Sequence, residues 1–457
     1  MTNTAATSFE TEIAGELYAV GISLLQVGKT REALFQFQKA LGIAPGFSDA
    51  ALALGHCLHR LRKFEEALAV YYRLLSASPL LTAAWNNQAV VLLELCRYEE
   101  ARASFTRALE LDPVLYDARV ALATCYQALG LVDQAQAACD AVLAEVPEHA
   151  EAHWNKSLLL LLKGDYLQGW REYEWRWKKR NFTSPLRTFT QPRWHGEAVA
   201  GKTVLIHAEQ GFGDTLQFCR YLPLVVQRGV RVVFECHPPL VRLMECLADN
   251  LDVVALGQQL PHFDLHVPLL SLPLIFGTTV ETIPADIPYL KPPADHLSSW
   301  RELLPDDNRL KVGLCWAGKS YPDPGRSCPV ELLSPLAEID DVLWYSLQVG
   351  WKNDLPIPMN DITVNIRDFA DTADLISRLD LVITVDTAVA HLAGALGKPT
   401  WVLLPSAPDW RWMRERHDSP WYPSMRLFRP AVSGDWLACV KEVACLLDPN
   451  RRLITAN

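Results

Sequence analysis

Four alanines stand 34 residues apart near the start of this 457-residue chain: Ala33, Ala67, Ala101 and Ala135. Pro45, Pro79, Pro113 and Pro147 keep the same interval. Four positions after each alanine comes Phe37, Tyr71, Phe105 or Cys139, and upstream of each lies a small residue, Gly21, Gly55, Ala89 or Ala123. A period of this length, kept through four copies, marks a stacked unit that cannot bury its apolar face alone. Small residues let two helices approach, bulky ones fill the space between them, and proline ends the second helix of each pair. The first third should therefore be an α-solenoid.

The spacing resembles the tetratricopeptide repeat, in which a small residue precedes A-x3-F and a closing proline. A fifth unit starts in register at Trp154 but departs from it: Gly169 takes the alanine position, and Tyr166, Trp170, Tyr173, Trp175 and Trp177 crowd together. These rings either cap the array against the next domain or form an aromatic ligand platform. The cap reading places the array at residues 1–180.

After a polar, proline-marked linker, residues 181–200, strand and helix signals alternate. Strands are expected at 203–207, 230–235 and 251–255, with helices at 214–228 and 239–248. A second series opens with strands at 311–316 and 342–347. Continuous apolar strands between helices imply two doubly wound parallel sheets, Rossmann-like, over 181–293 and 294–457, with a proline-rich hinge at 283–293. In such sheets ligands lie at the carboxyl ends of the strands, here across a cleft between facing domains.

The most telling segment is residues 381–405, which read as buried strand, turn, small-residue helix, glycine stop and second strand. Its turn puts Asp386, Thr387 and Ala388 where a helix begins, a place where free N–H groups and the helix dipole can hold a diphosphate without a lysine. The Ala and Gly content of the helix implies close approach to its backbone. In the first domain, Gly211 and Gly213 should form a tight turn ahead of a helix started by Asp214. That aspartate is either an N-cap or a general base facing the cleft.

Charge and composition exclude several classes. The formal net charge is −10, with acidic residues spread along the chain, which argues against a nucleic-acid partner. Eleven cysteines form no C-x-x-C pair, and the first residues contain no apolar signal core, so a reduced, cytoplasmic setting is expected. The longest aliphatic run, 158–162, is far short of a membrane span. His262 and His266 are four apart but on a strand-like run, so a metal site is not expected.

Several elements together resemble one family. They are Gly213-Asp-Thr-Leu216, the run Val385 to Pro399, Phe263 to Pro273, Trp316-Ala-Gly with Arg326-Ser, Pro408-Asp-Trp-Arg-Trp412, and Pro420 to Phe428. From about Ala150 onward the chain resembles bacterial tetratricopeptide proteins whose second half is a glycosyltransferase family 9, heptosyltransferase-like module of GT-B fold. That resemblance implies a nucleotide-diphosphate-sugar donor in the C-terminal domain, an acceptor in the N-terminal one, and transfer of a hexosyl or heptosyl group with inversion and without metal or other cofactor. It makes Asp214 the base and matches Asp386, Thr387, Ala388 and His391 to the donor turn. Lys319 and Arg326, with Arg411 third, are the cations expected to face the diphosphate, and Gln348 a further donor contact. Gly211, Gly213 and His266 fall on the acceptor side.

Each assignment has a plainer alternative. His391 could be a core histidine, Lys319 and Arg326 solvated loop charges around residues 322–325, and Trp410, Trp412, Trp421 and Tyr422 domain packing. The fused repeats point to a protein or peptide partner. Two rival functions stay open: a scaffold whose module has lost catalysis, and an epimerase of the same fold.

Overall fold

The computed structural model describes residues 2–248, 250–293, 300, 303–304, 307–319, 324–432 and 434–448, with side chains from Glu10 onward. It divides into two compact units, Met1–Leu159 and Leu160–Asn457.

The first unit is the tetratricopeptide array. Its helices are Thr2–Gln26, Thr30–Ile43, Ser48–Arg60, Phe64–Ala77, Thr82–Glu94, Tyr98–Leu111, Tyr116–Ala128 and Val132–Glu145. The periodic alanines are fully buried, as are Phe37, Phe105 and Cys139, with Tyr71 nearly so. The small positions are explained by contact: a Cβ on Gly21 would lie 2.4 Å from the Phe37 ring, and one on Gly55 2.5 Å from that of Tyr71. Each periodic proline directly follows the residue that closes its helix, Ala44, Ser78, Asp112 or Val146. There its missing N–H and the restriction it places on the preceding residue stop the helix.

The second unit holds two all-parallel sheets. The first is ordered β3-β2-β1-β4, with β1 Thr203–His207, β2 Arg231–Cys236, β3 Leu251–Ala255 and β4 Leu265–Pro268. The second is ordered β10-β9-β8-β5-β6-β7. Its strands are β5 Leu310–Cys315, β6 Val342–Ser346, β7 Met359–Asn360, β8 Leu381–Val385, β9 Thr400–Leu403 and β10 Met425–Phe428. This is the expected α/β, GT-B-like architecture, with the inner strand β8 and nearly all of β1 and β2 buried on both faces.

The expected helices of the first sheet are shorter than their apolar pattern suggests. Residues 214–228 split into Phe212–Phe218, a 3-10 turn Cys219–Tyr221 and Leu222–Val226, and residues 239–248 become the turn Pro238–Leu240 and Val241–Met244. Pro223, Pro238 and Pro239 lack the N–H that a continuous helix would use.

The aromatic segment expected to close the array packs within the second unit, because its rings find their partners there. Tyr166 stacks on Trp421, which donates its indole N–H to the Tyr166 hydroxyl at 3.0 Å. Trp170 meets Trp410 and Phe218 edge-on and donates to the Thr278 carbonyl at 3.1 Å. Trp410, Trp412, Trp421 and Tyr422 are all buried. They pack the unit, so the platform alternative is not what the structure shows.

Candidate active site

Strand β8 is buried along its whole length and ends at Val385, so Asp386 and Thr387 lie at its carboxyl edge. Thr387 has extended backbone and caps the Ala388–Ala395 helix, its hydroxyl accepting from the Val389 N–H at 3.3 Å. The same hydroxyl lies 3.2 Å from that of Thr384, which ties the turn to its strand. The helix thus starts at this edge with the positive end of its dipole, although the Val389 N–H is taken by the Thr387 hydroxyl and the Ala390 N–H by the Thr387 carbonyl at 3.0 Å.

The small residues of this helix answer to protein packing, contrary to the expectation of a ligand against its backbone. A Cβ on Gly394 would meet Met425 and Tyr422 at 2.5 Å. His391 is buried, stacks on Trp412 and shares a 2.9 Å hydrogen bond with Tyr422. Burial, with Arg411 and Arg220 nearby, pushes its pKa well below the ordinary histidine value and keeps it neutral. It is a packed core histidine, not an open donor contact.

The opposite wall begins at β1. The tight turn expected from Gly211 and Gly213 is made instead by Gln210, at φ 62°. Gly211 is extended and occupies the N-cap of the Phe212–Phe218 helix, while Gly213 lies inside that helix. Glycine is needed at 213 because a Cβ would come within 2.8 Å of the His391 ring. The two helices therefore pack across the sheets, which brings their first turns together.

Asp214 is the third helical residue, not the N-cap. One carboxylate oxygen accepts from the Gly211 N–H at 2.8 Å, and the other is ion-paired with Nη2 of Arg411 from the second sheet's side. Arg411 is anchored further. Its Nη1 donates to Asp409 at 2.9 Å, its Nε donates to Gln217 Oε1 at 2.6 Å, and its guanidinium lies over the Trp410 ring. Burial opposes the charge, but Asp409 and Asp214 more than offset this, so Arg411 stays firmly protonated.

Asp386 feels the same group from the other side. Burial and the Asp409 charge push its carboxyl up to about 6, while Arg411 and Arg326 pull it down. Three carboxylates therefore share the influence of one buried guanidinium at the junction of the sheets. Gln217 and Asp409 were not singled out from sequence. Asp409 lies inside the Pro408–Trp412 element, and Gln217 one helical turn beyond Asp214, so both were within reach of the pattern.

Other expected residues fall around this centre. Lys319 is exposed, its ammonium 5.8 Å from the centre of the Phe212 ring. Arg326 donates to the Lys319 carbonyl at 3.3 Å and crowds Gly318, where a Cβ would meet it at 2.9 Å. Both are loop cations, and Arg326 is near enough to the turn to pull the Asp386 carboxyl down; Pro322 and Asp323 between them are outside the described residues. Gln348 accepts from the Ala317 N–H at 2.9 Å, joining the ends of β5 and β6. His266 belongs to a separate cluster, its ring against Phe189 and His207. Among the described residues, no group of three or more His, Cys, Asp or Glu could hold a metal ion, and no helix is long and apolar enough to cross a membrane.

Comparison with known proteins finds partial matches to two families. Residues 24–90 and 92–159 match the tetratricopeptide repeat, and residues 367–413 match glycosyltransferase family 9 (heptosyltransferase). The second match contains both the Asp386 turn and Arg411. Protein FlbA of Caulobacter vibrioides is 27% identical over 356 residues, which cover 70% of this chain and 59% of that protein. Among solved structures, MamA from Desulfovibrio magneticus RS-1 is 18% identical and covers 35% of this chain and 91% of its own, with a TM-score of 0.34. YrrB, a tetratricopeptide protein with an unusual peptide-binding site, is 23% identical, covers 38% and 89%, and has a TM-score of 0.33. The chain thus carries tetratricopeptide repeats and, over residues 367–413, a segment similar to glycosyltransferase family 9.

Proposed function

We propose that the protein is an inverting, metal-independent glycosyltransferase that moves a hexosyl or heptosyl group from a nucleotide-diphosphate-sugar to a hydroxyl acceptor. The observation that carries this reading is the meeting of Asp214 with Arg411 beside the helix-initiating turn at 386–388. Inverting transfer needs a base for the acceptor hydroxyl and a fixed positive field for the departing diphosphate. Asp214 fills the first role. The positive end of the Ala388–Ala395 helix dipole fills the second, together with Arg411, Arg326 and Lys319.

The repeats would present a protein or peptide carrying that hydroxyl, bound along their concave face. An array variant that loses transfer to such an acceptor, yet keeps donor hydrolysis, would support this division of labour. The free state of all eleven cysteines fits a cytoplasmic protein.

A second reading, a nucleotide-binding scaffold without turnover, draws on one observation: both oxygens of Asp214 are already engaged. A panel of nucleotide-sugars separates the two. A transferase releases nucleotide diphosphate from at least one donor, and Asp214→Asn lowers that release by about 10²–10⁴-fold while donor binding persists. Stabilisation of the fold by donors with no release from any of them would establish the scaffold.

A further inference from the structure

The contacts of Arg411 carry one consequence beyond the assignment of a base. We infer that the donor's diphosphate displaces Asp214 from Arg411, so that the base is freed only when donor is bound. This rests on the proposed reading of the 386–388 turn and adds to it a fixed order, donor before acceptor.

The argument is one of competing anions around a single guanidinium. Arg411 spends three of its five N–H groups on protein, one from each nitrogen: Nε on Gln217, Nη1 on Asp409 and Nη2 on Asp214. Asp409 is built into the backbone there, accepting the Arg411 N–H at 3.0 Å as the cap of its turn, so it stays. Gln217 is fully buried and uses its oxygen on Arg411, while its own Nε2 is buried without a hydrogen-bond partner. One acceptor is therefore missing beside the guanidinium. Asp214 is the exchangeable partner, because its second oxygen remains anchored to the Gly211 N–H when the first lets go.

A diphosphate offers more negative charge than one carboxylate and binds a guanidinium in bidentate fashion. Once it takes Nη2, one oxygen of Asp214 loses its cation and can accept a proton from a hydroxyl. In the absence of donor the carboxylate stays paired with Arg411.

The test uses inorganic pyrophosphate as the probe and calorimetric titration of the full chain. Asp214→Asn keeps an oxygen for the Gly211 N–H but no longer holds Arg411 by charge, so pyrophosphate should bind about tenfold more tightly than to wild type. Relief of simple repulsion would give a similar gain, and a double-mutant cycle distinguishes the two. In an Arg411→Lys background the exchange gain disappears, because a lysine cannot bridge both anions in the same way, whereas repulsion relief persists. Unchanged or weaker binding to Asp214→Asn, or a gain that survives Arg411→Lys, overturns the exchange alone. Should pyrophosphate bind neither wild type nor Asp214→Asn, the reading of the turn falls and the exchange falls with it.

Discussion

Asp386 allows a quantitative test, because its environment works against its charge. The carboxyl is held at about 6 against an ordinary value of 3.8, chiefly through burial and the neighbouring Asp409. Each tenfold change in proton affinity is worth about 1.4 kcal/mol, so ionised Asp386 costs the folded state on the order of 3 kcal/mol at neutral pH. The sign follows from the direction of the shift. A carboxyl whose folded pKa is raised binds its proton more tightly in the folded state, so stability is intact below pH 4. It declines as pH rises through 4 to 6 and is lower by a constant amount above that. Asp386→Asn is neutral throughout and fills nearly the same volume. Urea unfolding of wild type and variant between pH 3.5 and pH 8 should give equal stabilities at the acid end, with the variant ahead by up to about 3 kcal/mol at pH 7. Activity should fall in the same variant if the carboxylate serves the donor, since strained groups persist where function retains them. Equal stability across the whole pH range, or a variant weaker at pH 7 than at pH 4, would refute the reasoning.

Further expectations follow from packing. Gly213→Ala gains about 1 kcal/mol of helix propensity but drives a methyl to 2.8 Å from His391, and overpacking of that kind costs about 1–3 kcal/mol, so a net loss should appear in thermal unfolding. Gly15→Ala, in the Thr2–Gln26 helix with nothing near its new methyl, should stabilise the protein by up to about 1 kcal/mol in the same assay. Trp421→Ala removes a buried ring and the partner of the Tyr166 hydroxyl, and should lower stability by about 3–5 kcal/mol in urea titration.

What could be read from the sequence divides along physical lines. The repeats were legible because each helix pair solves the same packing problem: a residue that must be small at 21 or 55 is forced by the ring at 37 or 71. The parallel strands were legible because burial on both faces leaves an unbroken apolar run, as in Leu381 to Val385. Helix lengths in the first sheet were not, since Pro223 and Pro239 broke patterns that apolar spacing alone would continue. The site was half legible. Spacing along the chain placed Asp214 and the Asp386 turn at helix starts, but it could not show that Arg411 would reach across 197 positions to pair with Asp214. Nor could it show that His391 would be sealed beneath Trp412, because both facts depend on how segments far apart in the chain pack. Gly213 carried that information only in disguise, as a small residue whose reason lay in another part of the chain.

The most direct test of the account follows the anomeric configuration of the transferred sugar by proton NMR. Purified protein is given the donor that it cleaves and an acceptor hydroxyl. Transfer through Asp214 predicts a product of opposite configuration to the donor, with turnover at least about 10²-fold slower in Asp214→Asn. A product that retains the donor configuration, or equal turnover by the variant, would contradict it.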